Sequence, residues 1–176
     1  MERKLYFTYN EIHQTVKDVA EKIQASGFVP DVTVAIGTGG FIPARILKTF
    51  LKKPILTVGL AYYDENDKPT EQPQKIQWID QVERKLTGKK VLLIDEIDDT
   101  RATLAYCLKE LLTHNPAEIA VAVLHNKIKP KKANFPKEIT KIWAGLDIPD
   151  QWVVYPWDAL DIEAHDNAWK EESQYS

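Results

Sequence analysis

Apolar residues recur along the chain with periods that predict helices alternating with short buried strands. The first helix is expected over about residues 9–26, because an apolar residue returns every three or four positions and forms a single stripe. The stripe consists of Ile12, Val16, Val19 and Ile23. Thr8 and Glu11 have the spacing of a capping box, and Gly27 is a suitable helix terminator. The chain therefore begins with an amphipathic helix.

Short apolar runs rich in β-branched residues predict the strands. They cover residues 32–36, 55–60, 91–94 and 119–124, with shorter apolar segments at 142–143 and 152–155. Further helices are expected over 42–51, with Pro43 in the first turn, and after Thr100. The second of these has Leu104, Leu108, Leu111 and Leu112 on one side. Strands alternating with helices predict an α/β domain with a mainly parallel sheet, whose ligands bind at the carboxyl ends of the strands.

Two segments show no sustained period. Residues 63–80 are polar and contain two prolines, so we expect a long loop there, of the kind that serves as a lid. Residues 160–176 are also polar and are expected to form a frayed tail. Neither segment has the composition of a linker, and residues 1–176 are expected to form one domain.

The composition narrows the function classes. The 176 residues are 44% hydrophobic and 28% charged, with a net charge of −3, which is typical of a folded globular protein. The mild acidity argues against nucleic acid as a partner, and no window approaches the ~18 consecutive apolar residues of a membrane span. The first residues lack the apolar stretch of a secretory signal, and the single cysteine, Cys107, fits a reducing compartment. We therefore expect a cytoplasmic protein with no membrane partner.

An acidic run follows the strand at 91–94 and has four carboxylates in five residues. These are Asp95, Glu96, Asp98 and Asp99. Such close charges raise one another's pKa unless a cation or hydrogen-bond donors compensate. One interpretation is a solvated loop whose acids cap a helix; the other is a site for hydroxyl groups and Mg²⁺, which prefers hard oxygen ligands. Residues 99–103 open a helix whose free N–H groups suit an anion, so the combination favours a phosphorylated sugar.

A glycine-rich turn, Gly37-Thr38-Gly39-Gly40, lies between the strand at 32–36 and the next helix. A dinucleotide site would require a third glycine where Ile42 stands, and no acid clearly ends the second strand to hold a ribose. A structural turn without a ligand and a phosphate-binding turn both remain open on these residues alone.

The segment Val91–Leu104 resembles the phosphoribosyl pyrophosphate (PRPP) motif of type I phosphoribosyltransferases, in which an apolar strand leads to an acidic pair and then to Asp-Thr-Gly and a threonine. The resemblance implies that Asp95 and Glu96 bind the ribose hydroxyls and help to place Mg²⁺, and that Asp99 is the general base. It also implies a 5′-phosphate loop made of Asp99, Thr100, Arg101, Ala102 and Thr103. Arg101 replaces the usual glycine, so we expect the backbone there to avoid glycine-only conformations, and the arginine can add a phosphate contact.

The segment Ala35–Ala44 is similar to the pyrophosphate loop of short microbial 6-oxopurine phosphoribosyltransferases. The resemblance implies that Gly37, Thr38, Gly39 and Gly40 bind pyrophosphate, with a peptide between Thr38 and Gly39 that can be cis. Many relatives carry a lysine or arginine where Thr38 stands, so binding is expected to depend on backbone amides and Mg²⁺. Residues 63–80 would be the flexible loop that closes over the reaction.

The segment Ile148–Asp158 resembles the purine-binding segment of xanthine–guanine and hypoxanthine phosphoribosyltransferases. By that resemblance Trp152 stacks on the purine, Val153 offers backbone groups to its edge, and Asp158 lies near the 2-position and the waters of the metal. Lys127 matches the lysine that donates to the purine 6-oxygen, and an ammonium, which donates but cannot accept, disfavours adenine. The other interpretations are packing for the tryptophan and a solvated cation for Lys127. The lysines of 129–132 are interpreted as surface.

Together these segments predict a type I phosphoribosyltransferase fold with a small C-terminal hood at about 139–160, to which the N-terminal helix can contribute. The implied reaction transfers the phosphoribosyl group of PRPP to a 6-oxopurine, hypoxanthine first and guanine or xanthine next, and releases pyrophosphate. The resemblance also implies a homo-oligomer, a dimer or tetramer. Two alternatives remain: a non-catalytic PRPP-binding regulator of the same fold, and a phosphoacceptor receiver domain. Receivers place their acidic pair after the first strand, whereas about 90 residues precede it here.

Overall fold

The computed structural model describes residues 4–63 and 69–173, which form two sheets and five helices. The strands are β1 (Lys4–Tyr6), β2 (Val32–Gly37), β3 (Ile55–Tyr63), β4 (Pro69–Gln77), β5 (Lys90–Asp98), β6 (Glu118–Lys127), β7 (Ile142–Ile148) and β8 (Trp152–Val154). The helices are α1 (Tyr9–Ala25), α2 (Phe41–Leu51), α3 (Val82–Leu86), α4 (Ala102–Leu112) and α5 (Ile162–Ser173).

The main sheet has six strands in the order β4-β3-β2-β5-β6-β7. Every pair from β3 to β7 is parallel, and β4 alone runs antiparallel, against β3. This confirms the predicted α/β fold with a mainly parallel sheet. Because β2, β5 and β6 are neighbours with their carboxyl ends at one edge, the chain segments that follow them converge there.

Both faces of the sheet are covered, and successive residues of the central strand β5 point to opposite sides. Leu92 and Ile94 join the core that contains α1 and α2, whereas Leu93 packs with α4 residues such as Leu104 and Leu108. A strand buried on both faces has no polar alternation, which is why these strands read as continuous apolar runs.

The N-terminus of α1 is capped as the spacing predicts. The N–H of Glu11 donates to Thr8 Oγ1 at 3.2 Å, and the N–H of Thr8 donates to Glu11 Oε2 at 2.8 Å. Gly27 follows the helix at φ +73°, a left-handed conformation that glycine adopts without steric cost.

The expected loop over 63–80 is wrong for much of its length. Residues 69–77 form β4, which pairs with β3, and residues 64–68 lie outside the described residues. An edge strand is held by backbone hydrogen bonds on one side, so it needs no apolar period and tolerates proline. Polarity and two prolines therefore did not distinguish this strand from a loop.

The hood and the tail also differ from expectation. The segment 142–148 is a strand of the main sheet. The hood is instead a small separate sheet in which β8 pairs in parallel with the N-terminal strand β1. Residues 162–173 are helical rather than frayed, because His165 is buried and its Nε2 lies 2.9 Å from the carbonyl oxygen of Phe7. A buried polar residue is an anchor that hydrophobic periodicity does not reveal.

Candidate active site

A cleft of about 430 Å³ opens at the carboxyl edge of the main sheet. Its walls come from the glycine turn after β2, the acidic end of β5, and the residues that lead into α4. Thus the structure brings together the three segments that the sequence analysis assigned to pyrophosphate, ribose and 5′-phosphate. They are adjacent because β2 and β5 are hydrogen-bonded neighbours.

The glycine turn fits closely against the acids. A Cβ atom on Gly39 would collide with the carboxylate of Glu96, and one on Gly40 would lie 2.6 Å from the carbonyl oxygen of Ile36. The cis peptide bond lies between Gly37 and Thr38, one residue earlier than expected. Within the described residues, the N–H groups of Thr38 and Gly39 have no hydrogen-bond acceptor, so they are available to an anion.

Three of the four acids lie inside β5 rather than after it, because pairing with β6 continues to Asp98, and only Asp99 follows the strand. Asp95 is buried, and its Oδ1 accepts the N–H of Glu96 at 2.9 Å. Burial and then the negative charge of Glu96 raise the pKa of Asp95 well above its ordinary value. A cation or a hydroxyl donor at this position would relieve that cost.

Among the four acids, Asp98 forms an ion pair within the protein and is not directed at the cleft. Arg101 donates to its Oδ2 from Nε at 3.0 Å and from Nη2 at 2.7 Å, and the guanidinium lies 4.2 Å from the ring centre of Phe135. Arg101 has φ +69°, so the expectation that its backbone would avoid a glycine conformation is wrong. The fork to a buried carboxylate and the aromatic contact offset the strain of that conformation. The arginine is thus directed at Asp98.

Asp99 faces two lysines. Its Oδ1 lies 2.8 Å from Nζ of Lys129 and 3.5 Å from Nζ of Lys127. Partial burial favours the neutral acid, but the hydrogen bond from Lys129 and the charges of both lysines outweigh it and hold the pKa of Asp99 below its ordinary value. Asp99 therefore stays ionised in a cleft that contains other acids.

The interpretation of 129–132 as surface is wrong for two of its lysines. Lys129 contacts Asp99, and Lys131 donates to the carbonyl oxygens of Asp98 at 2.6 Å and Asp99 at 3.0 Å. The loop after β6 thereby folds back over the end of β5. Lysines in a polar loop carry no period, so only the three-dimensional structure reveals these contacts.

The segment assigned to the purine lies beside the cleft but does not contribute to its walls. Trp152 is 64% exposed at the start of β8, Val153 is half-buried, and Asp158 is exposed in a single turn of 3-10 helix at Pro156–Asp158. Lys127 is 8% exposed, and it contacts both Asp99 and Asp150 of the β7–β8 turn. An exposed indole is free to stack on a planar ligand.

Sequence analysis missed a buried pair beneath the acids. His125 has no exposed surface, and its Nδ1 lies 2.8 Å from the hydroxyl of Tyr155, which donates to the carbonyl oxygen of Glu96 at 3.3 Å. Burial lowers the pKa of His125 to about 4 and raises that of Tyr155. The neutral histidine and the tyrosine connect β6 and the hood to the end of β5. The position of His125 at the carboxyl end of a buried strand was the available signal.

In the described part of the chain, no three histidine, cysteine, aspartate or glutamate side chains form a cluster that could hold a metal ion. Asp95, Glu96 and Asp158 therefore do not form a direct three-carboxylate site, and Asp158 would reach a cation held by the two acids only through water. Any cation bound by the two acids would need further oxygen ligands from a substrate or water. None of the helices among residues 4–63 and 69–173 has the length and apolar character to cross a membrane.

Comparisons with known proteins agree with this geometry. The family model of the phosphoribosyl transferase domain matches residues 8–159. The hypoxanthine-guanine phosphoribosyltransferase of Schizosaccharomyces pombe is 45% identical, over 93% of each chain. Xanthine phosphoribosyltransferase 1 of Saccharomyces cerevisiae is 40% identical, over 92% of this chain and 93% of its own. The crystal structure of a hypothetical protein from Neisseria gonorrhoeae with bound ppGpp has a TM-score of 0.90 at 46% identity and covers 97% of this chain and 98% of that one.

Proposed function

The chain belongs to the phosphoribosyltransferase family, and on that premise we propose that it salvages purines by transferring the 5-phosphoribosyl group of PRPP to a 6-oxopurine. The products are the nucleoside 5′-monophosphate and pyrophosphate. Hypoxanthine is the first substrate, and guanine and xanthine are further ones, in keeping with the names of the related enzymes.

The observation that carries this proposal is the convergence of three segments on one cleft. Free amides of the glycine turn suit pyrophosphate, Asp95 and Glu96 suit the ribose hydroxyls, and residues 99–103 with the start of α4 suit the 5′-phosphate. PRPP carries these three groups on a single sugar. A site for an uncharged ligand would not need both an acid pair and unpaired amides beside the N-terminus of a helix.

In the proposed reaction, the bond from C1 of the ribose to the pyrophosphate oxygen breaks and a bond from C1 to N9 of the purine forms. The proton on the purine N7 passes to Asp99, whose carboxylate is ionised. Positive charge develops at C1 in the transition state, and the carboxylates of the cleft stabilise it. Lys127 donates to the 6-oxygen, while Trp152, Val153 and Asp158 hold the ring from the hood side.

Asp95 and Glu96 are hard oxygen donors, and a pair of carboxylates completed by substrate oxygens is the usual protein contribution to a Mg²⁺ site. We assign Mg²⁺ to these residues, with Asp158 acting through water. When bound, the ion offsets the negative charge that develops on the leaving pyrophosphate. Chelation should abolish turnover, and added Mg²⁺ should restore it.

A substrate panel tests the proposal. The purified protein with Mg²⁺ and PRPP is offered hypoxanthine, guanine, xanthine, adenine and orotate in turn, and nucleotide formation is measured. We expect turnover with 6-oxopurines and none with orotate. Binding of PRPP without product from any purine would favour the non-catalytic regulator.

A second candidate function is control by ppGpp. The structure of the Neisseria gonorrhoeae protein contains bound ppGpp, and at 46% identity over nearly the whole chain we propose the same ligand here. The anion-binding amides of the cleft suit its phosphates. If ppGpp binds there, it should raise the apparent KM for PRPP without lowering kcat at saturating PRPP.

We also propose a homo-oligomer, a dimer or tetramer. Ile142 and Leu146 on the edge strand β7 are 44% and 45% exposed, and apolar surface of this kind favours association. Light scattering on the eluting protein would give the mass, and a mass of 20.2 kDa, that of one chain, would contradict this.

A further inference from the structure

Lys129 joins three loops at the carboxyl edge of the sheet. It lies after β6, and its Nζ is 2.8 Å from Oδ1 of Asp99, before α4, and 2.8 Å from Oδ1 of Asp150, between β7 and β8. The lysine side chain is 22% exposed. One ammonium is therefore shared by two carboxylates that are 51 positions apart in sequence.

The neighbouring Lys127 does not make equivalent contacts. Its Nζ lies 3.5 Å from Asp99 Oδ1 and 3.8 Å from Asp150 Oδ1, both beyond good hydrogen-bond distance. Lys127 is therefore the more distant charge, and Lys129 is the cation in direct contact with Asp99. The family resemblance assigns a role to Lys127 and none to Lys129 or Asp150.

We propose that Lys129 is a positioning residue for Asp99, which it holds through an ion pair with an Nζ–Oδ1 distance of 2.8 Å, and that Asp150, which accepts the hydrogen bond of the same ammonium, weakens this hold. The proposal rests on the proposed function, in which Asp99 accepts the purine proton. Lys129 and Asp150, which both lie outside the PRPP motif, thus set the orientation and basicity of the Asp99 carboxylate.

The charges around Asp99 determine the direction of each effect. Lys127, Lys129 and Lys131 approach it from β6 and the following loop, with Lys131 at its carbonyl oxygen. On its own segment, Asp98 is paired with Arg101. Removing Lys129 takes away a cation, whereas neutralising Asp150 leaves that cation bound to Asp99 alone. The two changes should therefore move the basicity of Asp99 in opposite directions.

The electrostatics agree with this arrangement. The contacts with Asp150 and then with Asp99 raise the pKa of Lys129, so the lysine stays charged. The contact with Lys129 is in turn the largest of the causes that lower the pKa of Asp99.

A titration of the resting protein tests the proposal without turnover. The carboxyl carbons of 13C-labelled aspartates are followed by NMR, with Asp99→Asn identifying the signal of Asp99. We expect its apparent pKa to rise in Lys129→Ala, to fall in Asp150→Asn, and to stay near the wild-type value in Lys129→Arg. Lys132→Ala is the matched control, because that lysine is exposed in the same loop, and it should leave the titration unchanged.

Kinetics supply the second readout. The acid limb of kcat/KM for the purine should move to higher pH in Lys129→Ala and to lower pH in Asp150→Asn, with KM for PRPP within about twofold of wild type. A loop that was merely loosened would shift both variants the same way. Equal shifts, or an Asp99 signal indifferent to Lys129, would overturn the proposal. If Asp99→Asn kept full kcat while the NMR shifts appeared, the base role would fail and the Lys129 contact would stand.

Discussion

Asp99 is the residue on which the proposed reaction depends most directly. Asp99→Asn keeps the size of the side chain and one oxygen that faces Lys129, but it removes the negative charge and the capacity to accept a proton. We expect kcat to fall by about 10²–10⁴-fold, the usual contribution of a general base, with KM for PRPP changed little. Steady-state kinetics with each substrate varied in turn measures both quantities, and a wild-type kcat would remove Asp99 from that role.

Lys127 is expected to act on the base and not on the sugar. Lys127→Ala removes a charged hydrogen bond of about 1.5–3 kcal/mol, so KM for hypoxanthine should rise by roughly 10- to 100-fold and KM for PRPP much less. Lys137→Ala, at an exposed lysine, is the control. Equal increases in both KM values would show that the lysine supports the whole cleft instead.

Arg101 has a strained backbone conformation and two favourable side-chain contacts, with Asp98 and Phe135. Two substitutions distinguish the energy of the strain from that of the contacts. Arg101→Ala loses the buried pair with Asp98, worth about 3–5 kcal/mol to break, and keeps the positive φ. Arg101→Gly loses the same pair but relieves the backbone by about 1 kcal/mol. Urea unfolding should therefore rank the free energies of unfolding as wild type, then Gly, then Ala. An alanine variant as stable as the glycine variant would mean that the backbone is not strained.

At the scale of elements, the capping box of α1 predicts how substitutions of Thr8 change the free energy of unfolding. Thr8→Ala leaves the N–H of Glu11 without its acceptor and should lower the free energy of unfolding by about 1 kcal/mol. Thr8→Ser retains the hydroxyl and should lie close to wild type in the same urea titration. If serine behaved like alanine, the threonine methyl group would be the stabilising part.

Buried strands and amphipathic helices were predictable because burial imposes a period on the sequence. The stripe from Ile12 to Ile23 and the apolar run at 91–94 both fall within observed elements. β4 and α5 were missed because other forces hold them: backbone pairing to β3 in the first, and the buried contacts of His165 in the second. Polar elements fixed by a few contacts leave no period to detect.

The residues of the candidate site also fall into a predicted group and a missed group. The acids and glycines around Asp95 and Gly39 were found because a local motif carries them. Lys129, His125 and Tyr155 were missed because each acts through a residue distant in sequence, such as Asp150 or the carbonyl of Glu96. Such pairings depend on strand order, which no single segment encodes.

For the whole molecule, the buried His125 predicts sensitivity to acid. Burial lowers its pKa from 6.5 to about 4, so below pH 6.5 the unfolded chain binds a proton that the folded protein does not. Its contribution to stability is complete above pH 6.5 and is lost as the pH falls toward 4, at about 1.4 kcal/mol per pH unit or about 3 kcal/mol in total.

Comparison with His125→Gln isolates this effect. Urea unfolding at pH 7 and near pH 4 should show that the stability gap between wild type and variant narrows by roughly 3 kcal/mol. The raised pKa of Asp95 acts in the opposite direction, but it is present in both proteins and cancels in the difference. If the stability difference between wild type and variant did not change with pH, the pKa of His125 would not be lowered in the folded protein, and the histidine would lie in a more polar environment than the structure describes.

Helix α5 lies beside β1, the first strand described, with the ring centres of His165 and Tyr6 5.3 Å apart, and Trp169 of α5 also donates to Glu11 of α1 at 3.1 Å. The protein is therefore suited to circular permutation. A glycine–serine linker between these two elements is compatible with their contact, and new ends can be opened in the turn at Asn115, which precedes β6 and so lies at the amino edge of the main sheet. An affinity tag at the new ends would then lie at the edge of the main sheet opposite the cleft.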